Sequence, residues 1–103
     1  MVIIALSSWP TESAKAISER FTGMPAVPDF IKMEGPYMYP NGGEGIQATT
    51  LYKFDKSKMS EAVKLANDQH AAFWGVPGFR YDVKVCTGAK YAVELSGGVK
   101  GHR

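Results

Sequence analysis

His70 is the residue of this 103-residue chain whose type and setting best suit chemistry. It lies in a predicted helix, on the apolar face and one turn before Phe73 and Trp74. A neutral imidazole in an apolar pocket can take up a proton or ligate a haem iron. A structural role is the alternative, because a partly buried histidine near a helix C-terminus also bonds backbone carbonyls. We name His70 as the candidate catalytic residue and leave both roles open.

Aromatic residues with a polar tip form a second candidate set, since such rings line small-molecule clefts. The chain has five tyrosines: Tyr37, Tyr39, Tyr52, Tyr81 and Tyr91. Tyrosines are equally common as strand residues that pack a sheet. Arg80 could contact a polar ligand, or pair with Asp82 on the same strand face. The predicted ligand-binding set is Trp74, Tyr52, Tyr37, Tyr39 and Arg80.

Metal and cofactor chemistry has little support in the residue pattern. Cys86 is the single cysteine, so neither an internal disulfide nor a thiolate cluster can form within one chain. A reducing, cytoplasmic setting fits that usage best. Asp68 and His70 are two residues apart and cannot face one ion from a helix. We expect no metal and no cofactor.

Charge and hydropathy argue against two classes of partner. The formal net charge is only +2, and basic residues such as Lys56 and Lys58 alternate with Asp55 and Glu61. A nucleic-acid surface needs a stripe of one sign. The apolar residues 1–6 have no basic leader and are too few for a signal peptide or a membrane span. We expect neither nucleic acid nor membrane as a partner.

The first half of the chain predicts three strands and a helix. Residues 2–6 form a continuous apolar run, typical of a strand covered on both faces. Residues 11–22 carry apolar side chains at helical spacing. From residue 29 the period is two, which places Ile31, Met33, Tyr37 and Tyr39 on one side. Residues 41–44 then predict a turn into a strand over 45–54.

The second half predicts a long helix and one or two further strands. The helix begins near Asp55 or Ser57. Its apolar arc contains Met59, Ala62, Val63, Ala66, His70, Phe73 and Trp74. Residues 79–86 alternate as a strand, and residues 91–95 form a last short one. One domain is expected over residues 1–95, followed by a flexible Gly-rich tail, 96–103.

The order of these elements is β-α-β-β-α-β, which predicts an α+β fold of the ferredoxin-like type. Right-handed crossovers place both helices on one face of an antiparallel sheet. The other face is then bare in a monomer and carries residues such as Gln47, Thr49 and Leu51. Because a bare face with apolar content usually marks an interface, we expect a homodimer formed face to face.

The strand over residues 48–54, the long helix after it and the helix end Phe73-Trp74-Gly75 resemble those of the dimeric α+β barrel families. The resemblance extends over residues 2–95 and implies two sheets packed face to face. That superfamily includes cofactor-free quinol monooxygenases, haem-degrading enzymes, chlorite dismutase-like proteins and stress-response proteins. The haem-degrading members use an Asn, a Trp and a His. Here Ser7 and Ser8 stand where the Asn belongs, and Trp74 follows His70 instead of preceding it.

Two functions are compatible with these residues. The first is a small homodimeric domain without catalysis, which either binds a small apolar or aromatic ligand or acts as a structural or regulatory module. The second is a cofactor-independent monooxygenase or isomerase acting on an aromatic substrate, with His70 as the base and Trp74 and Tyr52 shaping the pocket. We favour the first, because the sequence shows no acid/base pair, no nucleophile with a partner and no metal set.

Overall fold

The computed structural model describes residues 1–87. The predicted strand over residues 91–95 and the predicted tail over 96–103 lie outside the described residues, as does Tyr91. The elements are β1 (Val2–Trp9), α1 (Ala14–Arg20), β2 (Ile31–Pro40), β3 (Ile46–Phe54), α2 (Met59–Ala71) and β4 (Arg80–Cys86). Single 3₁₀ turns flank α1 at Thr11–Ser13 and Phe21–Gly23, and another, Lys56–Lys58, leads into α2.

The four strands form one sheet in the order β2-β3-β1-β4, and every neighbouring pair is antiparallel. The predicted α+β class is therefore confirmed, with a four-stranded antiparallel sheet and two α-helices. Strand β1 lies in the interior of the sheet. Its register sets Ile3 opposite Tyr52 of β3 and Val85 of β4.

Both helices pack on the same face of this sheet. In one core cluster, Ala62 and Leu65 of α2 meet Ile3 of β1. In the other, Ile17 of α1 meets Trp9 of β1. Ile3 and Trp9 point to the same side because strand side chains repeat every two residues. The two clusters thus form one layer between the helices and the sheet.

The prediction that β1 is covered on both faces is wrong. Its side chains alternate: Ile3 and Ala5 are buried, whereas Val2, Ile4 and Leu6 are only half-buried. The helices cover only one side, so the second row of apolar side chains faces away from them. A continuous apolar run does not distinguish a strand buried on two faces from one whose second face awaits a partner.

A bulge in β2 overturns the predicted side-chain pattern of that strand. The register shifts between Glu34 and Tyr37, so Met33 lies opposite Tyr52 but Tyr37 lies opposite Thr49. Tyr52 and Thr49 face opposite sides of β3, and so Tyr37 does not share a side with Met33. Gly35 permits the bulge, because its φ is 98° and a Cβ there would lie 2.8 Å from the carbonyl oxygen of Thr49.

The 3₁₀ turn Lys56–Lys58 begins near the predicted start of the long helix, whereas α2 itself begins at Met59 and buries a slightly different arc. Asp55 accepts a hydrogen bond from the backbone N–H of Ser57 at 3.0 Å, which caps the turn before the helix. Ala62, Ala66, His70 and Phe73 are buried, as predicted. Met59 and Trp74 are 40% and 64% exposed, because the buried arc is centred on Leu65 and Gln69 and because Trp74 lies beyond the helix end.

The sheet face turned away from the helices is called the open face below. Its side chains are Val2, Ile4, Leu6 and Ser8 of β1, Gln47, Thr49, Leu51 and Lys53 of β3, Lys32, Glu34, Tyr37 and Tyr39 of β2, and Arg80, Asp82, Lys84 and Cys86 of β4. Apolar side chains occupy its centre. Two ion pairs lie towards its edges, Lys53–Glu34 at 3.4 Å and Lys84–Asp82 at 2.8 Å. No helix within residues 1–87 has the length and apolar character needed to cross a membrane.

Candidate functional site

A narrow apolar cleft lies between the helices and the covered sheet face. Its aromatic wall is made by Trp9, Phe21, Phe73 and Phe79, and its polar members are Ser7, Thr50 and His70. The space open to the centre of a water molecule is about 20 Å³, which is room for about one water. A larger occupant requires flexible side chains on the lining to move. Met24 and Met38 can do so, since methionine has three rotatable bonds.

The structure places His70, the predicted catalytic residue, in this cleft. Its side chain is 5% exposed, and Nδ1 lies 2.7 Å from the carbonyl oxygen of Ala66. Because a carbonyl oxygen can only accept, Nδ1 carries the hydrogen and the neutral ring has its lone pair on Nε2. Burial lowers the pKa of the imidazole below its usual value, which keeps the ring neutral at pH 7. Nε2 has no hydrogen-bond partner among residues 1–87.

The plane of His70 is fixed by a stacking contact as well as by the hydrogen bond. Tyr81 of β4 stacks on the imidazole with a centroid distance of 5.1 Å and an interplanar angle of 20°. The Tyr81 hydroxyl reaches Asn67 Oδ1 at 3.4 Å, a weak contact along the same helix. A ring held on one face and at one nitrogen presents the other nitrogen in a defined direction. Such positioning suits both ligand binding and proton transfer.

Trp9 is a member of the cleft that sequence reasoning missed. It lies beyond the predicted first strand, residues 2–6, but in the structure it is the last residue of β1 and is 5% exposed. Within residues 1–87, its Nε1 is the one buried side-chain nitrogen or oxygen without a hydrogen-bond partner. The sequence did contain a sign of this role. Ile3, Ala5, Ser7 and Trp9 are spaced two residues apart along the strand, so their side chains point to the same face of the sheet.

Tyr52, predicted to bind ligand, belongs to the core and not to the cleft. It is completely buried, and its hydroxyl donates to Gln69 Oε1 at 2.6 Å. Gln69 Nε2 in turn donates to the carbonyl oxygen of Pro25 at 2.9 Å. Burial raises the pKa of the phenol to about 12. This chain of bonds ties β3, α2 and the segment before β2 together.

The remaining predicted residues are not brought together with His70. Trp74 is 64% exposed beyond α2, where its carbonyl oxygen accepts from Arg20 Nη1 at 2.7 Å. Tyr37 and Tyr39 lie on the open face, and Tyr39 Oη lies 2.9 Å from Thr49 Oγ1. Arg80 is on the open face as well, at the edge of a polar hollow of about 320 Å³. The predicted ligand-binding set is thus divided between the core, the end of α2 and the open face.

The part of the chain that the structure describes contains no cluster of side chains that could bind a metal ion. No group of three or more His, Cys, Asp and Glu residues within 1–87 could hold an ion. Cys86 is half-buried on β4, with its sulfur 3.8 Å from the carbonyl oxygen of Lys84. The chemistry available in the cleft is therefore that of hydrogen bonds, aromatic contacts and one neutral imidazole.

Comparison of the chain with protein-family models, with curated proteins and with solved structures finds no match. No family is therefore assigned. The fold class rests on the strands, helices and sheet order of the chain itself, and a function has to be argued from the cleft and the open face.

Proposed function

We propose that this chain is a homodimeric, ferredoxin-like α+β protein that binds a small apolar or aromatic ligand in the cleft between helices and sheet. The observation that carries the proposal is the cleft itself, an aromatic wall with two buried polar side chains. Trp9 has an Nε1 without a hydrogen-bond partner within residues 1–87, and His70 donates from Nδ1 to Ala66, which leaves Nε2 as an acceptor. Ligand sites are commonly apolar with a few placed polar groups.

The aromatic rings that line the cleft favour a flat ligand. Phe73 packs edge-on against Phe21 at 5.3 Å and lies 5.3 Å from Phe79 at an interplanar angle of 32°. Aromatic rings at these distances attract one another through offset and edge contacts. A ligand ring would make the same contacts once lining side chains such as Met38, which is 47% exposed, have moved aside, because the cleft itself has room for about one water. The composition of the wall supports an apolar or aromatic ligand.

The open face supports the homodimer. The element order and the sheet order β2-β3-β1-β4 are those expected of a split βαβ unit, which leaves one sheet face without helices. Four strands of about eight residues outline about 500 Å², and protruding side chains increase the accessible area towards the roughly 800 Å² that each partner buries in a standard interface. Glu34 and Asp82 pair with Lys53 and Lys84 of the same chain. The charge that a second copy must accommodate is therefore that of Lys32 and Arg80 on the two outer strands.

A titration with toluene tests the ligand site. We expect the backbone amide signals of Ala48 and Phe73, which line the cleft, to shift in a ¹⁵N-correlation spectrum. Ala48→Leu should fill the cleft and abolish the shifts. Ala26→Leu, at an exposed alanine outside the cleft, is the matched control and should leave them unchanged. Shifts confined to the open face, or none at saturating toluene, would contradict the site.

His70 favours a second candidate function, a cofactor-independent monooxygenase or isomerase acting on an aromatic substrate. A neutral imidazole with Nε2 free in an apolar cleft can remove a proton from a bound hydroxyl group. Oxygen uptake measured with a panel of quinols tests the monooxygenase. The proposal requires uptake above the buffer rate that is lost in His70→Ala, and a rate equal to that of buffer would contradict it.

The cellular setting is part of the same proposal. Cys86 is the single cysteine of the chain, and such usage fits a reducing, cytoplasmic compartment. The proposed partners are a second copy of the chain and a small molecule. Neither nucleic acid nor a membrane surface is proposed, because the net charge is only +2 and the charges alternate in sign.

A further inference from the structure

The two unpartnered nitrogens in the cleft have opposite hydrogen-bonding roles. Trp9 Nε1 carries a hydrogen and can only donate. His70 Nε2 holds a lone pair and accepts, because Nδ1 already donates to Ala66. Both side chains are 5% exposed. Trp9 Nε1 is buried without a partner within residues 1–87, which is destabilising, and a ligand that accepts a hydrogen bond from it removes that penalty.

From this complementarity we infer that the cleft selects a neutral aromatic molecule carrying one group that both accepts and donates a hydrogen bond, such as a hydroxyl or a primary amide. The oxygen of that group accepts from Trp9 Nε1, and its hydrogen is donated to His70 Nε2. The inference rests on the proposed ligand site and specifies its ligand class.

Charge explains why an anion is rejected. None of the lysines or arginines in residues 1–87 lines the cleft, so a carboxylate would enter an apolar space without a counter-charge, which is strongly unfavourable. His70 does not supply the missing charge, since burial lowers the pKa of its imidazole. Ser7 and Thr50 offer only neutral hydroxyls. The lining thus favours molecules that are uncharged at neutral pH.

Three probes of similar size separate the effect of the hydrogen-bonding group from that of charge. Toluene lacks the polar group, phenol carries it, and benzoate carries a charge. We expect phenol to bind roughly 25-fold more tightly than toluene, since each of the two net hydrogen bonds contributes about five-fold, and benzoate to show no binding at the same concentrations. The two tryptophans give an internal control in a ¹⁵N-correlation spectrum. Phenol should move the indole N–H signal of Trp9 downfield and leave that of the exposed Trp74 in place.

Trp9→Phe removes the donor and keeps an aromatic ring. In this variant the ratio of phenol affinity to toluene affinity should fall about five-fold, because one of the two hydrogen bonds is lost while the smaller ring affects both probes alike. If the variant does not fold, the Trp9 indole N–H signal in the spectrum of the wild-type protein tests the ligand class without it. Equal binding of phenol and toluene, or binding of benzoate as tight as that of phenol, would overturn the ligand class and leave the ligand site standing. Failure of all three probes at the cleft would overturn both.

Discussion

His70 Nδ1 lies 2.7 Å from the carbonyl oxygen of Ala66, one turn earlier in α2. This bond satisfies the structural role that a histidine near a helix end can have. It also fixes the tautomer, and it leaves Nε2 as an acceptor on a side chain that lines the aromatic cleft. The structural and the functional roles of His70 are therefore compatible, because each uses a different ring nitrogen.

The burial of His70 predicts a loss of stability at mildly acidic pH. The folded protein has a pKa for His70 below the usual value of 6.5, whereas the unfolded chain has the usual one, so the unfolded state binds a proton that the folded state does not. The contribution of His70 to the free energy of unfolding should be constant well above the usual pKa of 6.5. It should fall as the pH drops below that pKa, by at most about 1.4 kcal/mol per pH unit for one proton. Urea denaturation between about pH 7.5 and 5.5 measures this.

His70→Gln is the matched control for that experiment. Glutamine does not titrate, so the variant should show a flatter pH dependence than the wild type. Taking the difference between the two proteins removes the contribution of other groups, including His102. Parallel curves for the two proteins would show that His70 is not protonated differently in the folded and unfolded states.

Tyr52→Phe should destabilise the fold by about 1–3 kcal/mol, because it leaves the acceptor Gln69 Oε1 buried and unpaired. Chemical denaturation of the variant, with an unchanged m-value, measures the loss. Tyr39→Phe removes the hydroxyl of an exposed tyrosine that also contacts a side chain, and it should cost well under 1 kcal/mol. Equal losses in the two variants would contradict the role given to the Tyr52–Gln69 bond.

The open face predicts the effect of charge on oligomeric state. Leu51→Glu introduces a carboxylate into the apolar centre of that face and should convert the proposed dimer into a monomer. Met59→Glu changes an apolar side chain that is also exposed, but on α2, and should remain dimeric. Analytical ultracentrifugation distinguishes the two states. Dissociation by Met59→Glu but not by Leu51→Glu would assign the interface to the helices instead.

Much of the fold could be predicted from local patterns. The alternation after Phe79 predicted β4, and the predicted helix start near Asp55 or Ser57 located the capped 3₁₀ turn before α2, because both depend on neighbouring residues alone. The sides of β2 could not be predicted in the same way. One bulge at Gly35 moves every later side chain to the other face, and the bulge depends on contact with β3.

The candidate site was harder to predict than the fold. His70 was found because a polar residue on an apolar helix face is conspicuous. Trp9 was missed because Ile17, which packs in the same core cluster, belongs to a different element, and the sequence does not show that the two residues meet. Tyr52 and Trp74 share an aromatic character with cleft residues, yet the tertiary structure places them in the core and in solvent. Residue type indicates what a side chain can bind, and only packing decides which side chains meet.

Native mass spectrometry of freshly purified protein, compared with the mass of the denatured chain, measures the proposed dimer and its bound ligand together. We expect twice the 11.2 kDa chain mass together with a small-molecule mass that disappears on denaturation and is absent from Ala48→Leu. A single chain mass with nothing bound would contradict both the homodimer and the ligand site.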